Sequence, residues 1–203
     1  MNPPLLIILA GPNGAGKSTF HREYLADSGY PFLNADAIAA DHFGPLAAGH
    51  ARDAQRLTDE IRQRFVAERR SFIFETVLSD PVGDKVAFFV RAREAGYFLE
   101  VHFIGLASSA LSQARVIDRV RRGGHDVPDD KIRERFPRTL ANLVRLLDVA
   151  DRLTIYDNST IDHPHGAVAL LERGRLLAIA DPLPAWLAPV DLDSRRTAST
   201  RSL

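Results

Sequence analysis

Two kinds of apolar pattern alternate along this chain of 203 residues. Residues 71–76 and 97–106 form short, nearly continuous apolar runs, which is typical of strands buried on both faces. Residues 47–70 instead carry apolar side chains at helical spacing, which predicts a long amphipathic helix. This alternation predicts an α/β fold with a mostly parallel sheet flanked by helices in three layers.

The other elements follow from the same patterns. Further strands are predicted at residues 4–10, 30–34 and 152–158, with a β-hairpin at 168–181. Further helices are predicted at residues 18–26, 35–40, 81–95 and 108–122, and from 129 onward in two parts because Pro137 interrupts the pattern. We expect a single domain over residues 1–193 and a disordered Ser/Thr/Arg-rich tail at 194–203.

A glycine-rich segment follows the first predicted strand and matches the pattern G-x-x-x-x-G-K-S. Between a buried strand and a helix, such a loop points backbone N–H groups at an anion. Lys17 adds a charge for the β- and γ-phosphates of ATP, and the Ser18 hydroxyl is suited to Mg²⁺. The sequence therefore predicts a P-loop NTPase fold that binds ATP and Mg²⁺. The predicted nucleotide-binding residues are Gly11, Pro12, Asn13, Gly14, Ala15, Gly16, Lys17, Ser18 and Thr19.

Polar residues lie at the carboxyl ends of two other strands, where ligands of parallel sheets bind. Asp36, near Asn34, is suited to accept a proton from a substrate hydroxyl, or equally to cap a helix. Glu75, beside Thr76, is suited to the Mg²⁺ shell or to a substrate hydroxyl, and the alternative is a surface glutamate.

Arginines are concentrated in an otherwise neutral chain over residues 115–138. Arg119 shares one helical face with two other arginines of the same predicted helix. Arg135 follows a loop that contains two glycines and His125. These features favour a helical lid at about residues 108–138 that closes over ATP, so that arginines neutralise the transferred phosphate. The alternatives are a solvated basic face or a nucleic-acid patch. His125 has no second ligand at zinc spacing, so we expect it to fix the loop or contact a phosphate.

Composition restricts the classes of function. The 26 Lys and Arg residues equal the 26 Asp and Glu residues, so no overall basic field favours nucleic acid or an anionic membrane. The absence of cysteine excludes disulfides and thiolate chemistry. No apolar run is long enough for a membrane span, and the first apolar run lacks the features of a signal peptide. We therefore expect a cytoplasmic protein.

Six motifs occur in order and together resemble those of the zeta-toxin-like P-loop kinases, in particular their compact chromosomal branch. The resemblance covers about residues 5–159. The motifs are G-P-N-G-A-G-K-S-T-F at 11–20, N-A-D at 34–36, F-E-T at 74–76, R-V-x-x-G-G-H-x-V-P at 119–128, I-x-x-R-F-x-R-x-L-x-N-L at 132–143 and Y-D-N-S at 156–159.

The resemblance implies a function and a role for several residues. Zeta toxins use ATP and Mg²⁺ to phosphorylate the 3′-hydroxyl of UDP-N-acetylglucosamine, and many act beside an antitoxin. By position, Asp36 matches their general base, and Arg119 and Arg135 match two arginines that clamp ATP phosphates. Glu75 and Thr76, with Asn34 and His125, are expected on the substrate side. This chain is shorter than the typical toxins around the sugar-nucleotide pocket, so the resemblance implies a small-molecule kinase more firmly than that particular acceptor.

Three alternatives stay open on the sequence. An ABC-type ATPase would need a signature loop, and residues 111–115 lack its glycines. A regulatory module would bind ATP without phosphorylating anything. A kinase of nucleotides or nucleic-acid ends would use the same loop on a short polyanion.

Overall fold

Eight strands form one sheet in the computed structural model, which describes residues 2–44 and 49–203. The strands are β1 (Leu5–Ala10), β2 (Phe32–Leu33), β3 (Phe72–Thr76), β4 (Phe98–Gly105), β5 (Arg152–Asp157), β6 (Gly166–Glu172), β7 (Arg175–Ile179) and β8 (Arg201–Ser202). Their order across the sheet is β2-β3-β1-β4-β5-β6-β7-β8. The first five in this order run parallel, whereas β6 and β7 form the predicted antiparallel hairpin. The predicted mostly parallel sheet is therefore confirmed.

Six α-helices connect the strands in the described part of the chain. They are α1 (Lys17–Phe20), α2 (Ala35–Phe43), α3 (Ala51–Ala67), α4 (Asp84–Glu94), α5 (Ser109–Arg121) and α6 (Asp129–Leu146). Helix α1 continues through a π-helical turn and a 3-10 turn as far as Ser28. The helix predicted over 47–70 begins at Ala51 in the structure, and residues 47 and 48 of that prediction lie outside the described residues.

The strands carry apolar side chains on both faces of the sheet, as their sequence pattern predicts. Leu6 and Ile8 of β1 pack into the larger core, which α3, α4 and the second half of α6 cover. Ile7 and Leu9 pack into a smaller core on the opposite face, where they meet Phe20 of α1. All four β1 residues are at most 5% exposed, so the strand that precedes the glycine-rich loop is fixed from both sides.

Two boundaries differ from the sequence prediction. Helix α6 is continuous through Pro137, although proline in a helix interior costs about 3 kcal/mol. Pro137 is exposed, while Ile132, Leu143 and Leu146 of the same helix are buried, so core packing outweighs the local cost. Helix α4 begins at Asp84 rather than at Pro81, because Gly83 takes the left-handed conformation at the helix start.

The C-terminal tail is a third place where the structure differs from the sequence prediction. Residues 194–203 were expected to be disordered because they lack an apolar face, but Arg201–Ser202 pairs with β7. The Thr200 hydroxyl donates to the Leu176 carbonyl at 2.8 Å, and the Leu203 amide donates to the Ile179 carbonyl at 3.0 Å. Backbone groups on the free edge of β7 therefore position the tail, and such pairing leaves no hydropathy signal.

Among the described residues, no helix combines the length and the apolarity needed to cross a bilayer.

Trp186 closes the end of the larger core. It is 7% exposed, stacks near Phe103, and donates its indole N–H to Asp157 Oδ1 at 3.1 Å. Gly105 makes room for the ring, since a Cβ there would lie 2.1 Å from it. Trp186 is therefore held both by packing and by one hydrogen bond.

We predict that Trp186→Ala lowers the free energy of unfolding by about 3–5 kcal/mol, because it empties a packed aromatic site. Trp186→Phe keeps most of the ring and loses the hydrogen bond, so it should cost about 1–2 kcal/mol. Urea unfolding followed by circular dichroism measures both values. Equal losses in the two variants would contradict this division between packing and hydrogen bonding.

Candidate active site

The glycine-rich loop at residues 11–16 directly follows β1, whose neighbours in the sheet are β3 and β4. Gly11 has a φ of +143°, and a Cβ at this position would lie 2.1 Å from the carbonyl oxygen of Ile104. Gly16 has a φ of +90°, and a Cβ there would lie 2.7 Å from Asn158 Nδ2. Both positions therefore require glycine for the backbone angle and for the close approach of a neighbour.

Side chains far along the chain hold this loop in place. Asn158 Nδ2 donates to the Ala15 carbonyl at 2.9 Å, and the Ser112 hydroxyl donates to the Asn13 carbonyl at 2.5 Å. Asn158 Oδ1 in turn accepts from the His165 amide at 3.1 Å. Sequence analysis missed the roles of Ser112 and His165. The Y-D-N-S motif was the one signal that pointed to Asn158.

Lys17 is buried inside the loop. It is 6% exposed, and its Nζ donates to the carbonyl oxygens of Gly11 and Pro12, both at 3.0 Å. Burial lowers the pKa of Lys17, while the carboxylates of Glu75 and Asp36 oppose this effect and Arg119 adds to it. The ammonium therefore lies in a desolvated position, where attraction to an added anion is stronger than in water.

Glu75 and Ser18 meet beside this lysine. The Ser18 hydroxyl donates to Glu75 Oε2 at 2.9 Å, and Glu75 Oε1 lies 4.0 Å from Lys17 Nζ. The strand register explains the meeting, since Glu75 of β3 is the partner of Leu9 in β1. A hydroxyl and a carboxylate are the hard oxygen ligands that Mg²⁺ prefers. Within residues 2–44 and 49–203, no group of three His, Asp or Glu side chains could hold a metal by itself.

A cavity of about 380 Å³ opens next to the loop, within the size range of small-molecule sites. It brings together seven predicted residues from five segments of the chain, namely Asn13, Asn34, Asp36, Glu75, Thr76, His125 and Arg135. Two lysines that sequence analysis did not single out, Lys85 and Lys131, also line it. Arg119 does not line this cavity, although its charge acts on Lys17.

Asn34 rather than Asp36 caps helix α2. Asn34 Oδ1 accepts from the amides of Asp36 at 2.8 Å and Ala37 at 3.0 Å. The helix therefore does not use the Asp36 carboxylate as its cap, and Asp36 is exposed where it lines the cavity. Two roles were considered for Asp36, capping the helix and accepting a proton. In the structure, Asn34 caps the helix instead. The side-chain oxygen of Asn34, expected on the substrate side, is used by the helix.

Helix α6 fixes the floor of the cavity. The Thr139 hydroxyl donates to the Val77 carbonyl at 2.9 Å, and Asn142 Nδ2 donates to the carbonyls of Leu78 and Asp80, both at 3.0 Å. Leu78 is fully buried with a φ of +58°, which is rare for a branched side chain. Thr76 supports this turn, because its hydroxyl oxygen accepts from the Leu78 amide at 3.0 Å.

The loop between α5 and α6 connects Arg119 to the cavity wall. Arg119 Nη2 donates to the carbonyl oxygen of His125 at 2.6 Å, and the His125 residue lines the cavity. Gly124 is required here, since a Cβ would lie 2.5 Å from Arg119 Cγ. Arg119 Nε is buried without a hydrogen-bond partner among the described residues.

Known proteins resemble this chain both in sequence and in fold. The sequence profile of the family described as Zeta toxin matches residues 2–166, well over half of the chain. A Haemophilus influenzae protein of undefined function is 28% identical over 132 residues, which cover 64% of this chain and 91% of that protein.

Solved structures show the same fold at low sequence identity. A chain from the PezAT chromosomal toxin–antitoxin system of Streptococcus pneumoniae has a TM-score of 0.61 and 18% identity, covering 82% of this chain and 72% of that chain. A chain from the AvrRxo1-ORF1:AvrRxo1-ORF2 structure with ATP has a TM-score of 0.59 and 15% identity, covering 86% of this chain and 60% of that chain. The family match over most of its length thus identifies the chain as a member of the zeta toxin family and an ATP-dependent kinase, as the ordered motifs predicted.

Proposed function

We propose that this kinase transfers the γ-phosphoryl group of ATP to a hydroxyl group of a small molecule bound in the cavity beside the loop. The observation that carries the proposal is the arrangement of Lys17, Glu75 and Asp36. Asp36, whose carboxylate does not cap the helix, and Glu75 both line the cavity. Glu75 in turn accepts from the Ser18 hydroxyl and lies 4.0 Å from the buried ammonium of Lys17. Phosphoryl transfer needs these parts, because its catalysis is mostly positioning and charge neutralisation.

ATP would place its phosphates on the loop at residues 11–16. Lys17 would exchange its bonds to the Gly11 and Pro12 carbonyls for the β- and γ-phosphate oxygens. Ser18 and Glu75 would hold Mg²⁺, which supplies charge neutralisation for the phosphates when bound. Thr19, next in the first turn of α1, completes the predicted nucleotide site.

The acceptor would lie between Asp36 and the γ-phosphate. As its oxygen bonds to the γ-phosphorus, the bond from that phosphorus to the β-phosphate oxygen breaks and ADP leaves. The hydroxyl proton passes to the Asp36 carboxylate. Arg119 would neutralise charge on the transferred group, and Arg135 would contribute from the cavity wall.

The chemical identity of the acceptor is a separate proposal. Resemblance to zeta toxins makes a UDP-amino sugar such as UDP-N-acetylglucosamine the first compound to test, with its 3′-hydroxyl as the site. The PezAT neighbour comes from a system described as toxin–antitoxin. We therefore also propose that an antitoxin protein partners this chain.

One experiment tests the reaction directly. The protein is incubated with labelled ATP, Mg²⁺ and a panel of UDP-sugars, nucleosides and short oligonucleotides, and mass spectrometry identifies the compound that gains a phosphate. A phosphorylated small molecule supports the proposal. ATP binding without a phosphorylated product would favour a regulatory module, and labelled oligonucleotides would favour an end kinase.

We predict that Lys17→Ala lowers kcat/KM by about 100- to 1,000-fold, because the loop loses its charge for the transferred phosphate. The rate of ADP formation with the acceptor identified above measures the effect. Thermal unfolding serves as the folding control, and the variant should still unfold in one cooperative transition. Turnover near the wild-type rate would show that the loop is wrongly assigned.

We predict that Asp36→Asn lowers kcat by about 100-fold or more, because the amide cannot accept the hydroxyl proton. Binding of a nonhydrolysable ATP analogue should stay within about 2-fold of wild type, since Asp36 lies on the acceptor side. Asp41→Asn is the matched control, because Asp41 is exposed on the same helix and does not line the cavity. Equal activity of the two variants would remove Asp36 from the mechanism.

We predict that Arg119→Ala lowers kcat by about 100-fold and weakens ATP binding much less, because its charge acts mainly on the transferred group. Arg121→Ala, which removes an exposed charge from the same helix, should keep the wild-type rate. Steady-state kinetics with varied ATP separate kcat from KM. An unchanged kcat in Arg119→Ala would assign this arginine to a solvated basic face.

A further inference from the structure

Two buried side chains, one in α5 and one in the turn after β5, hold the glycine-rich loop by its carbonyl groups. Asn158 is 7% exposed, and its Nδ2 donates to the Ala15 carbonyl at 2.9 Å. Ser112 is fully buried, and its hydroxyl donates to the Asn13 carbonyl at 2.5 Å. The loop therefore turns two alternate carbonyl groups toward the body of the protein.

The same two hydrogen bonds determine where two amides of the loop point. In a trans peptide group, as both of these are, the C=O and N–H bonds point in opposite directions. The Asn13 carbonyl shares its peptide group with the Gly14 amide, and the Ala15 carbonyl shares its group with the Gly16 amide. Fixing the two carbonyls toward the protein therefore aims the two amides away from it, as an anion site made of backbone N–H groups requires.

These two amides have no partner within the protein. Neither the Gly14 amide nor the Gly16 amide donates a hydrogen bond to another described residue, and both glycines are partly exposed. The Ala15 amide between them instead donates to the Pro12 carbonyl at 3.3 Å, which closes the turn. The loop thus separates amides that hold its own shape from amides that a ligand can reach.

Further contacts fix the orientation of the Asn158 side chain. Its Oδ1 accepts from the His165 amide at 3.1 Å, so both ends of the side-chain amide are bonded. Its backbone amide donates to the Gly105 carbonyl at 3.1 Å. The preceding residue, Asp157, accepts from the indole N–H of Trp186. The donor that faces the loop is therefore held by strands β4 and β6 and by the C-terminal segment.

We propose that Asn158 and Ser112 are positioning residues of this kinase, which hold the amides of Gly14 and Gly16 in the orientation that receives phosphate before ATP arrives. The inference rests on the proposed function, because that proposal places the phosphates of ATP on this loop. A loop that already has its bound shape loses little conformational freedom on binding. The two side chains therefore raise affinity for ATP without touching it.

Binding rates distinguish this role from direct contact with the ligand. Without one of the two hydrogen bonds, the loop has its binding shape for only a fraction of the time, and the apparent affinity falls by that fraction. ATP then associates more slowly, while its dissociation from the correctly shaped loop is unchanged. Removal of a group that contacts the ligand instead acts mainly on the dissociation rate.

Stopped-flow fluorescence with a fluorescent, nonhydrolysable ATP analogue and Mg²⁺ measures both rates. We expect Asn158→Ala and Ser112→Ala each to lower the association rate by about 5-fold or more and to keep the dissociation rate within about 2-fold of wild type. Ser159→Ala is the matched control, because its hydroxyl donates to Asp157 in the same turn rather than to the loop. This control should keep both wild-type rates.

Hydrogen–deuterium exchange of the nucleotide-free protein tests the shape of the loop itself. In both alanine variants at positions 112 and 158, the peptide that spans residues 11–20 should exchange about 5-fold faster or more. Peptides from β3 and β4 should keep the wild-type rate, which shows that the variant is folded. Because the two residues lie on different elements, either variant carries the test if the other fails to fold.

The inference is overturned for a residue whose folded alanine variant associates with the analogue at the wild-type rate, or loses affinity through faster dissociation alone. Unchanged exchange of the loop without nucleotide would also overturn it. Neither readout needs an acceptor, so slow association in the variants of a protein that phosphorylates nothing would reject the proposed reaction alone. Phosphorylation of a small molecule, together with wild-type association rates in both variants, would reject this inference alone.

Discussion

The burial of one ammonium group inside a glycine-rich loop is the constraint on which the rest of the molecule depends. Lys17 reaches its position because Gly11 and Gly16 let the backbone pass within contact of β4 and of Asn158. The carbonyls of Gly11 and Pro12 hold the charge in place where water is excluded. Such a loop is costly to form by itself, and the structure offsets that cost through contacts made far along the chain.

Parallel pairing then determines what surrounds this charge. Because β1 lies between β3 and β4, the carboxyl end of β3 lies beside the loop, which brings Glu75 to Ser18. Helix α6 completes the arrangement, since Asn142 and Thr139 hold the turn after β3. The cavity is therefore a consequence of sheet order and of one long helix, and its residues come from segments that are distant in sequence.

What the sequence predicts and what it misses follow from this difference between local and distant contacts. The phosphate loop is recognisable because its glycines, lysine and serine are consecutive, and the strands because their apolar runs are continuous. The role of Ser112 depends on a partner 99 residues away, and that of Asn158 on one 143 residues away, so no local pattern reveals them. Pro137 misled the helix prediction because packing of α6 outweighs a local preference.

Several departures from local structural rules lie at the site. Leu78 holds a left-handed backbone, Lys17 is a buried charge, and Asn13 Oδ1 and Arg119 Nε are buried without partners among the described residues. Each feature lowers stability by itself, and each lies on the glycine-rich loop, at the start of α1, on the cavity floor or on helix α5. A chain selected for stability alone would fill these positions with apolar side chains or relaxed turns. Their retention around one cavity is what a kinase needs, because polar groups fixed before the reaction require no reorganisation when charge moves between two phosphates and a hydroxyl.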